Sequence, residues 1–276
     1  MIAPGIGQLQ DLPPPRLAAV VRLCEELGYD VLWYANEKFY RDPYVGLAVA
    51  AMSSRTLKLG TYVADPYSAH PALTAVAIAS LDELSGGRAV LLLGAGGTGL
   101  DRLAIERRRP ARAIWETITV VRRLLAGETV SFEGEIVRLN GVRLAFAARP
   151  NIPIYVASRG DRVLAASYPD RSFVHAAGVE VPAELESIAA RRDREAASAA
   201  AHLVPDSLLD AFTWTGTAEE VAKKVAAVAD LGINRVTFMP HPPPGDAVEK
   251  GIRAFATEVL PRVAAAGTPV GRAPAR

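Results

Sequence analysis

The stretch Gly94-Ala95-Gly96-Gly97-Thr98-Gly99 makes the strongest chemical suggestion in the chain, with glycine at four of six positions directly after an apolar run over residues 90–93. It satisfies G-x-G-x-x-G, the pattern in which a dinucleotide pyrophosphate meets a helix N-terminus. That reading also needs a long helix opening inside the motif and an acidic residue closing the next strand. Here Pro110 interrupts after a short stretch, and Glu116, at about the required separation, falls within a helical pattern. The glycines then serve either as a flexible turn or, as we favour, as bare backbone against which a flat ring or its tail can lie. A second candidate is Ala157-Ser158-Arg159-Gly160, which follows another apolar run and precedes a helical stretch. Backbone N–H groups at such a turn suit a phosphate or carboxylate, and Ser158 suits ordinary N-capping equally well.

Other chemistry is thinner. Arg107-Arg108-Arg109, with Arg102 and Arg112, forms the densest basic cluster. It could meet phosphate. No aromatic residues interleave it, so it reads as a solvated loop ahead of a helix, not a nucleic-acid surface. His70 could donate a proton or simply precede the helix-opening Pro71. There is no G-x-S-x-G elbow to support serine hydrolysis, and no Asp/Glu/His set has metal-ligand spacing. The single cysteine, Cys24, excludes a disulfide framework and a Cys-based zinc site, and it sits on an apolar helical face. With 276 residues, 50% hydrophobic content and a net charge of +1, the composition excludes general disorder. It also leaves no whole-chain charge to attract nucleic acid or an anionic membrane. No apolar run reaches membrane-spanning length, and the first residues lack a basic segment followed by an apolar core. A cytoplasmic protein acting on a small molecule is expected.

The elements that must position these residues alternate along the chain. Strands are expected near residues 2–7, 31–33, 57–62, 90–93, 153–156, 172–175 and 235–239. Helices lie between them, opened by Pro14-Pro15, Asp42-Pro43, His70-Pro71 and the capping box Thr217-Ala218-Glu219-Glu220. Residues 129–132 and 136–139 flank Glu133-Gly134-Glu135 as a small hairpin. Strand–helix alternation argues for α/β architecture with a parallel sheet. A TIM-type (β/α)8 barrel needs eight strands, and the count reaches seven, so the seventh barrel strand is missing or distorted. A segment between Gly178 and Phe212, or a partner subunit, is then expected to cover the opening. The expected organisation is one domain over residues 1–266 and a flexible tail over 267–276.

Leu81-Asp82-Glu83-Leu84-Ser85-Gly86-Gly87-Arg88, followed by Leu92-Leu93-Gly94-Ala95-Gly96, resembles the most recognisable stretch of the bacterial luciferase-like superfamily. Residues 59–71, from Leu59-Gly60-Thr61-Tyr62-Val63-Ala64-Asp65 to His70-Pro71, resemble the third-strand region of its branch using the deazaflavin coenzyme F420. Methylene-tetrahydromethanopterin reductase belongs to that branch. Residues 37–44, 157–160 and 215–221 extend the likeness over nearly the whole chain, thinning between 167 and 207.

The resemblance implies a TIM-type barrel, usually a homodimer, holding F420, or alternatively FMN, at the C-terminal ends of its strands. It implies a non-proline cis peptide at Tyr62–Val63, bulging behind the ring, with Ala64 following. It places Gly94, Ala95, Gly96 and Gly97 beside the ring and tail, and Ser158, Arg159 and Gly160 at the phosphate. Asn36, Glu37 and His70 become the candidates near the chemistry, with Glu37 or His70 as proton donor. The implied reaction is hydride transfer between F420 and a small organic substrate. The alternatives are an FMN-dependent monooxygenase or a non-catalytic flavin-binding member of the superfamily. Gly7 or Gln8 stands where the reductase has a glutamate, Gly97 where an acid is expected, Asn36 for a frequent Asp, and Ala69 for an arginine. These departures argue against tetrahydromethanopterin as the substrate.

Overall fold

The computed structural model describes residues 1–96, 99–157, 183, 184, 187, 200, 203, 214, 216–240 and 246–271. Strands β1 (Ala3–Gly7), β2 (Val31–Ala35), β3 (Lys58–Tyr62), β4 (Ala89–Leu93), β7 (Ile154–Val156) and β8 (Arg235–Phe238) form a parallel sheet in the order β7-β4-β3-β2-β1-β8. Helices α1 (Pro14–Glu26), α2 (Pro43–Ser53), α3 (Pro71–Ser85) and α4 (Pro110–Leu125) follow the first four strands. The antiparallel hairpin β5 (Val130–Glu133) and β6 (Arg138–Val142) comes next. Helix α5 (Ala218–Asp230) precedes β8, and a last helix runs from α6 (Val248–Ala254) through a π turn into α7 (Leu260–Ala265).

The local rules act as the sequence indicates. Asp42 caps α2 by accepting from the N–H groups of Tyr44 (2.9 Å) and Val45 (3.0 Å), and Thr217 and Glu220 form the expected capping box of α5. Strand side chains alternate between two apolar layers, which is why the strands read as continuous hydrophobic runs. Ile6, Leu32, Tyr34, Leu59 and Leu91 pack with the helices, while Val31, Trp33 and Val90, with Tyr62 and Leu92, fill the inner face. Gly60 makes that inner layer possible, since a Cβ there would run into the Trp33 ring.

The stretch ending in Gly86-Gly87-Arg88 proves to be structural. The Arg88 guanidinium donates to the carbonyls of Ala51, Ser54, Leu57 and Ser85 at 2.7–3.0 Å, joining the α2 end to β4. Asp82 accepts from Ala89 N and from both Nε and Nη2 of Arg149. Glu116 is likewise structural. Fully buried on α4, its carboxylate accepts from the N–H groups of Glu135, Ile136 and Val137 at 2.9–3.0 Å and from Arg112 Nε at 2.7 Å. It thereby clamps the hairpin to α4.

As expected, the architecture is α/β with a parallel sheet, and six of its strands, from β7 to β8, lie among the described residues. The strand expected at 172–175 and the covering segment between 178 and 212 fall outside the described residues, isolated positions apart. Residues 269–271 lie against the start of the chain. Ile2 N donates to Pro269 O (2.6 Å), Gly271 N donates to Ile2 O (3.0 Å), and Val270 bridges Ile2. The cause is the fully buried Ile2, whose backbone groups require partners just outside β1.

Burial alone would raise the Glu116 carboxyl, but the three backbone donors and Arg112 outweigh it and hold the group below its ordinary value. Its contribution to stability is therefore complete above an unfolded-state value of about 4.3 and is lost as pH falls through the lower folded value. Glu116→Gln is expected to destabilise by about 2–3 kcal/mol at pH 7, with the difference shrinking in acid. Urea unfolding across a pH series checks both; equal stability at pH 7 would refute the clamp.

Candidate functional site

In parallel α/β sheets ligands gather at the C-terminal strand ends, and the candidate residues lie there on β1 to β4. The chain leaves β3 through a cis peptide between Tyr62 and Val63, as the resemblance implied. It then rejoins β4. Ala64 N donates to Leu92 O (2.9 Å), Gly94 N donates to Ala64 O (2.9 Å), and Ala64 bridges Leu93. Val63 fills the space where a side chain at 94 would stand: a Cβ on Gly94 would lie 2.5 Å from Val63 Cγ2. Tyr62, Val63, Ala95 and Gly96 remain partly exposed.

Asn36, one residue past β2, holds the bulge from behind. Its backbone N–H donates to Tyr62 O (2.9 Å) and its Nδ2 donates to Val63 O (3.1 Å). Lys38 fixes that amide, donating to Asn36 Oδ1 (3.4 Å) and to Asp65 Oδ2 (2.7 Å). Asp65 is 3% exposed and also accepts from Tyr67 N, Ser68 N and Ser68 Oγ at 2.6–2.9 Å. Burial by itself would raise its carboxyl; the Lys38 ammonium and the Ser68 donors outweigh it and hold the group below the usual carboxylate range. So loaded with donors, Asp65 is a structural anion and not a proton carrier.

Glu37 projects beside this network, with Gln10 Nε2 donating to its Oε2 at 3.3 Å. Gln10, 4% exposed, comes from the loop after β1, and its own backbone carbonyl accepts from Arg41 Nη1 (3.2 Å). A carboxylate from the loop after β2 thus meets a side chain from the loop after β1. His70 has a different position. Its Nδ1 accepts from Ala72 N (3.1 Å), capping α3, which leaves the proton on Nε2 to meet Arg138 O at 3.0 Å. Both ring nitrogens are thereby committed to backbone groups. The basic cluster is also largely engaged: Arg107 donates to Gly96 O (3.0 Å), Arg109 pairs with Glu135, and Arg112 with Glu116 and Glu135.

The structure thus brings Asn36, Glu37, Tyr62, Val63, Ala64, Gly94, Ala95 and Gly96 to one end of the sheet and sets His70 to helix capping. Gly97, Ser158, Arg159 and Gly160 lie outside the described residues. Sequence reading passed over Lys38, Asp65 and Gln10. Asp65-Pro66 just beyond a strand is a turn signal that could have marked Asp65; nothing local marks the other two. Among the described residues no three His, Cys, Asp or Glu side chains could hold a metal ion. Burial pushes the Cys24 thiol up to about 12, so it is inert.

A profile of the luciferase-like monooxygenase family matches residues 2–199, and the chain belongs to that family. It is 38% identical over 161 residues to 5,10-methylenetetrahydromethanopterin reductase of Archaeoglobus fulgidus, covering 58% of this chain and 48% of that protein. It is 33% identical over 171 residues to F420-dependent hydroxymycolic acid dehydrogenase of Mycobacterium tuberculosis, covering 56% and 47%. The matches therefore span about half the length of these relatives. Among solved structures, the coenzyme F420 dependent tetrahydromethanopterin reductase from Methanopyrus kandleri shares the fold with a TM-score of 0.82 at 20% identity, over 95% of this chain and 99% of that one. An F420-dependent secondary alcohol dehydrogenase does so with a TM-score of 0.70 at 18% identity, over 95% and 99%.

Lys38→Met removes the cation from a buried carboxylate and the donor that orients Asn36. The expected loss is about 3 kcal/mol at pH 7. Because the folded Asp65 value lies below the unfolded value of about 3.9, the pair stabilises above that pH and the difference closes as pH falls through the folded value. Thermal unfolding of the wild type, Lys38→Met, Asp65→Asn and the double variant measures the coupling; additive losses would show that the two residues act separately.

Proposed function

We propose that the chain is an oxidoreductase that works with coenzyme F420 and passes hydride between it and a small organic substrate at the C-terminal strand ends. The observation that carries this reading is the bare platform of Val63 and residues 94–96. Val63 occupies the Cβ space of Gly94. The exposed surface there is backbone with the Val63 side chain and the Ala95 methyl, which suits the face of a flat tricyclic ring. The F420-dependent dehydrogenases among the relatives support the choice of coenzyme. When bound, the coenzyme supplies the hydride chemistry at its ring carbon.

The protein's part is to orient and to manage a proton. Val63 and the glycine backbone would hold one face of the ring, and Asn36 keeps the Val63 carbonyl from turning. Glu37, presented by Gln10, would hold the proton at a carboxyl oxygen; His70 is committed to capping and is the poorer candidate. The phosphate is assigned from the sequence to Ser158, Arg159 and Gly160. We further propose a cytoplasmic homodimer joined through α2 and α3. Helix α2 has no charged residue on any face, yet Val45 and Met52 are 61% and 81% exposed, and Leu73 on α3 is 64% exposed. An apolar helix surface of this kind calls for a partner, and a second copy presents the same surface.

Calorimetric titration is expected to show F420 binding at least about tenfold tighter than FMN. Tighter FMN binding would overturn the choice of coenzyme. Gly94→Val is expected to reduce F420 affinity by about tenfold or more in a folded protein, because the added Cβ and Val63 cannot share the space. Unchanged affinity, with circular dichroism intact, would move the ring elsewhere.

A further inference from the structure

Two loops meet at the rim of the strand ends: residues 36–40 after β2 and 99–109 after β4. Gly99, at φ +83°, lets them touch, since a Cβ there would lie 2.8 Å from Lys38 Cβ and 3.2 Å from Phe39 Cε2. Tyr67 Oη donates to Arg108 O (2.8 Å), tying the second loop down over the bulge. At this junction Arg102 places its guanidinium carbon 4.5 Å from the centroid of the Phe39 ring. Phe39 is 60% exposed and holds φ +69°, an unfavourable backbone region for an aromatic residue.

The loop over 99–109 carries four arginines against Asp101 and Glu106. Arg107 and Arg109 are held by Gly96 O and Glu135. Arg108 is 71% exposed, and among the described residues its acidic partner is Glu106, at 4.0 Å. Arg102 is exposed on a ring face, which attracts its charge but offers no oxygen acceptor. Its planar fork therefore stands ready for a carboxylate, and stacking limits the freedom lost on binding one.

We propose that Arg102, laid on Phe39 and assisted by Arg108, receives glutamyl carboxylates of the F420 tail at the rim. This rests on the F420 reading above and extends it from the ring to the far end of the coenzyme. Chain reach permits it. Three residue steps separate Gly96 on the platform from Gly99 at the rim, a span of at most about 11 Å. The glutamates follow the phosphate in the coenzyme, so a tail held at residues 158–160 meets Arg102 by turning back across the strand ends toward the rim.

The test compares F420 carrying its glutamates with F420 stripped to the phospholactyl group, each titrated into the wild type, Arg102→Gln and Arg102→Lys at low and high salt. In the wild type the glutamates are expected to tighten binding roughly tenfold at low salt, and high salt should remove most of that gain. Arg102→Gln is expected to bind both forms with the affinity of the stripped coenzyme, and Arg102→Lys to recover part of the difference. Equal wild-type affinity for the two forms would overturn this inference while leaving the F420 reading intact. A tail effect that persists undiminished in Arg102→Gln would also overturn it. Binding of neither form to a folded wild type would overturn both.

Discussion

Gly94 has no Cβ, and Val63 takes the space a Cβ would need. The seating of one on the other lets the chain leave β3, bulge and return as a bridge to β4, with Ala64 exchanging hydrogen bonds with Leu92 and Gly94. The rest of the candidate site depends on this contact. Asn36 reaches the bulge because the Val63 carbonyl faces it, Lys38 reaches Asn36, and Asp65 lies where Lys38 can neutralise it. A buried carboxylate is costly without such a cation and donors. The network is therefore coupled: neither the bulge nor the buried acid is placed independently of the other.

The division of labour among charged residues follows from how many donors each carboxylate receives. Glu116 and Asp65 are saturated and depressed, so they fix backbone and do not move protons at neutral pH. Asp82 is held by the Arg149 fork. Glu37 accepts from Gln10 Nε2 at 3.3 Å and is half-buried. The same reasoning separates His70, whose two nitrogens meet two backbone groups, from a group that can exchange a proton with a ligand.

Membership of the luciferase-like family accounts for the parallel strands. The departures from the family pattern acquire a structural sense. The first strand ends in Gly7 without an acid, and Gln10 in the loop that follows it donates to the carboxylate of Glu37 from the loop after β2.

Much of the framework was written locally. Proline after a capping residue opened α2 and α3, the Thr217 capping box opened α5, and runs apolar on both faces marked buried parallel strands, because each signal depends on neighbours within a few residues. The strand-end glycines and the Tyr62–Val63 bond were also legible, through their likeness to a known pattern. The tertiary structure alone decided the role of each polar side chain. His70 and Glu37 look alike as candidate proton donors in the sequence, yet Arg138, sixty-eight residues away, engages one and Gln10, twenty-seven residues away, the other. Lys38 and Asp65 form an ion pair only once β2 and β3 lie side by side. The attachment of Val270 to Ile2 joins opposite ends of the chain, a pairing that no local pattern encodes because its cause is the buried backbone of a distant strand.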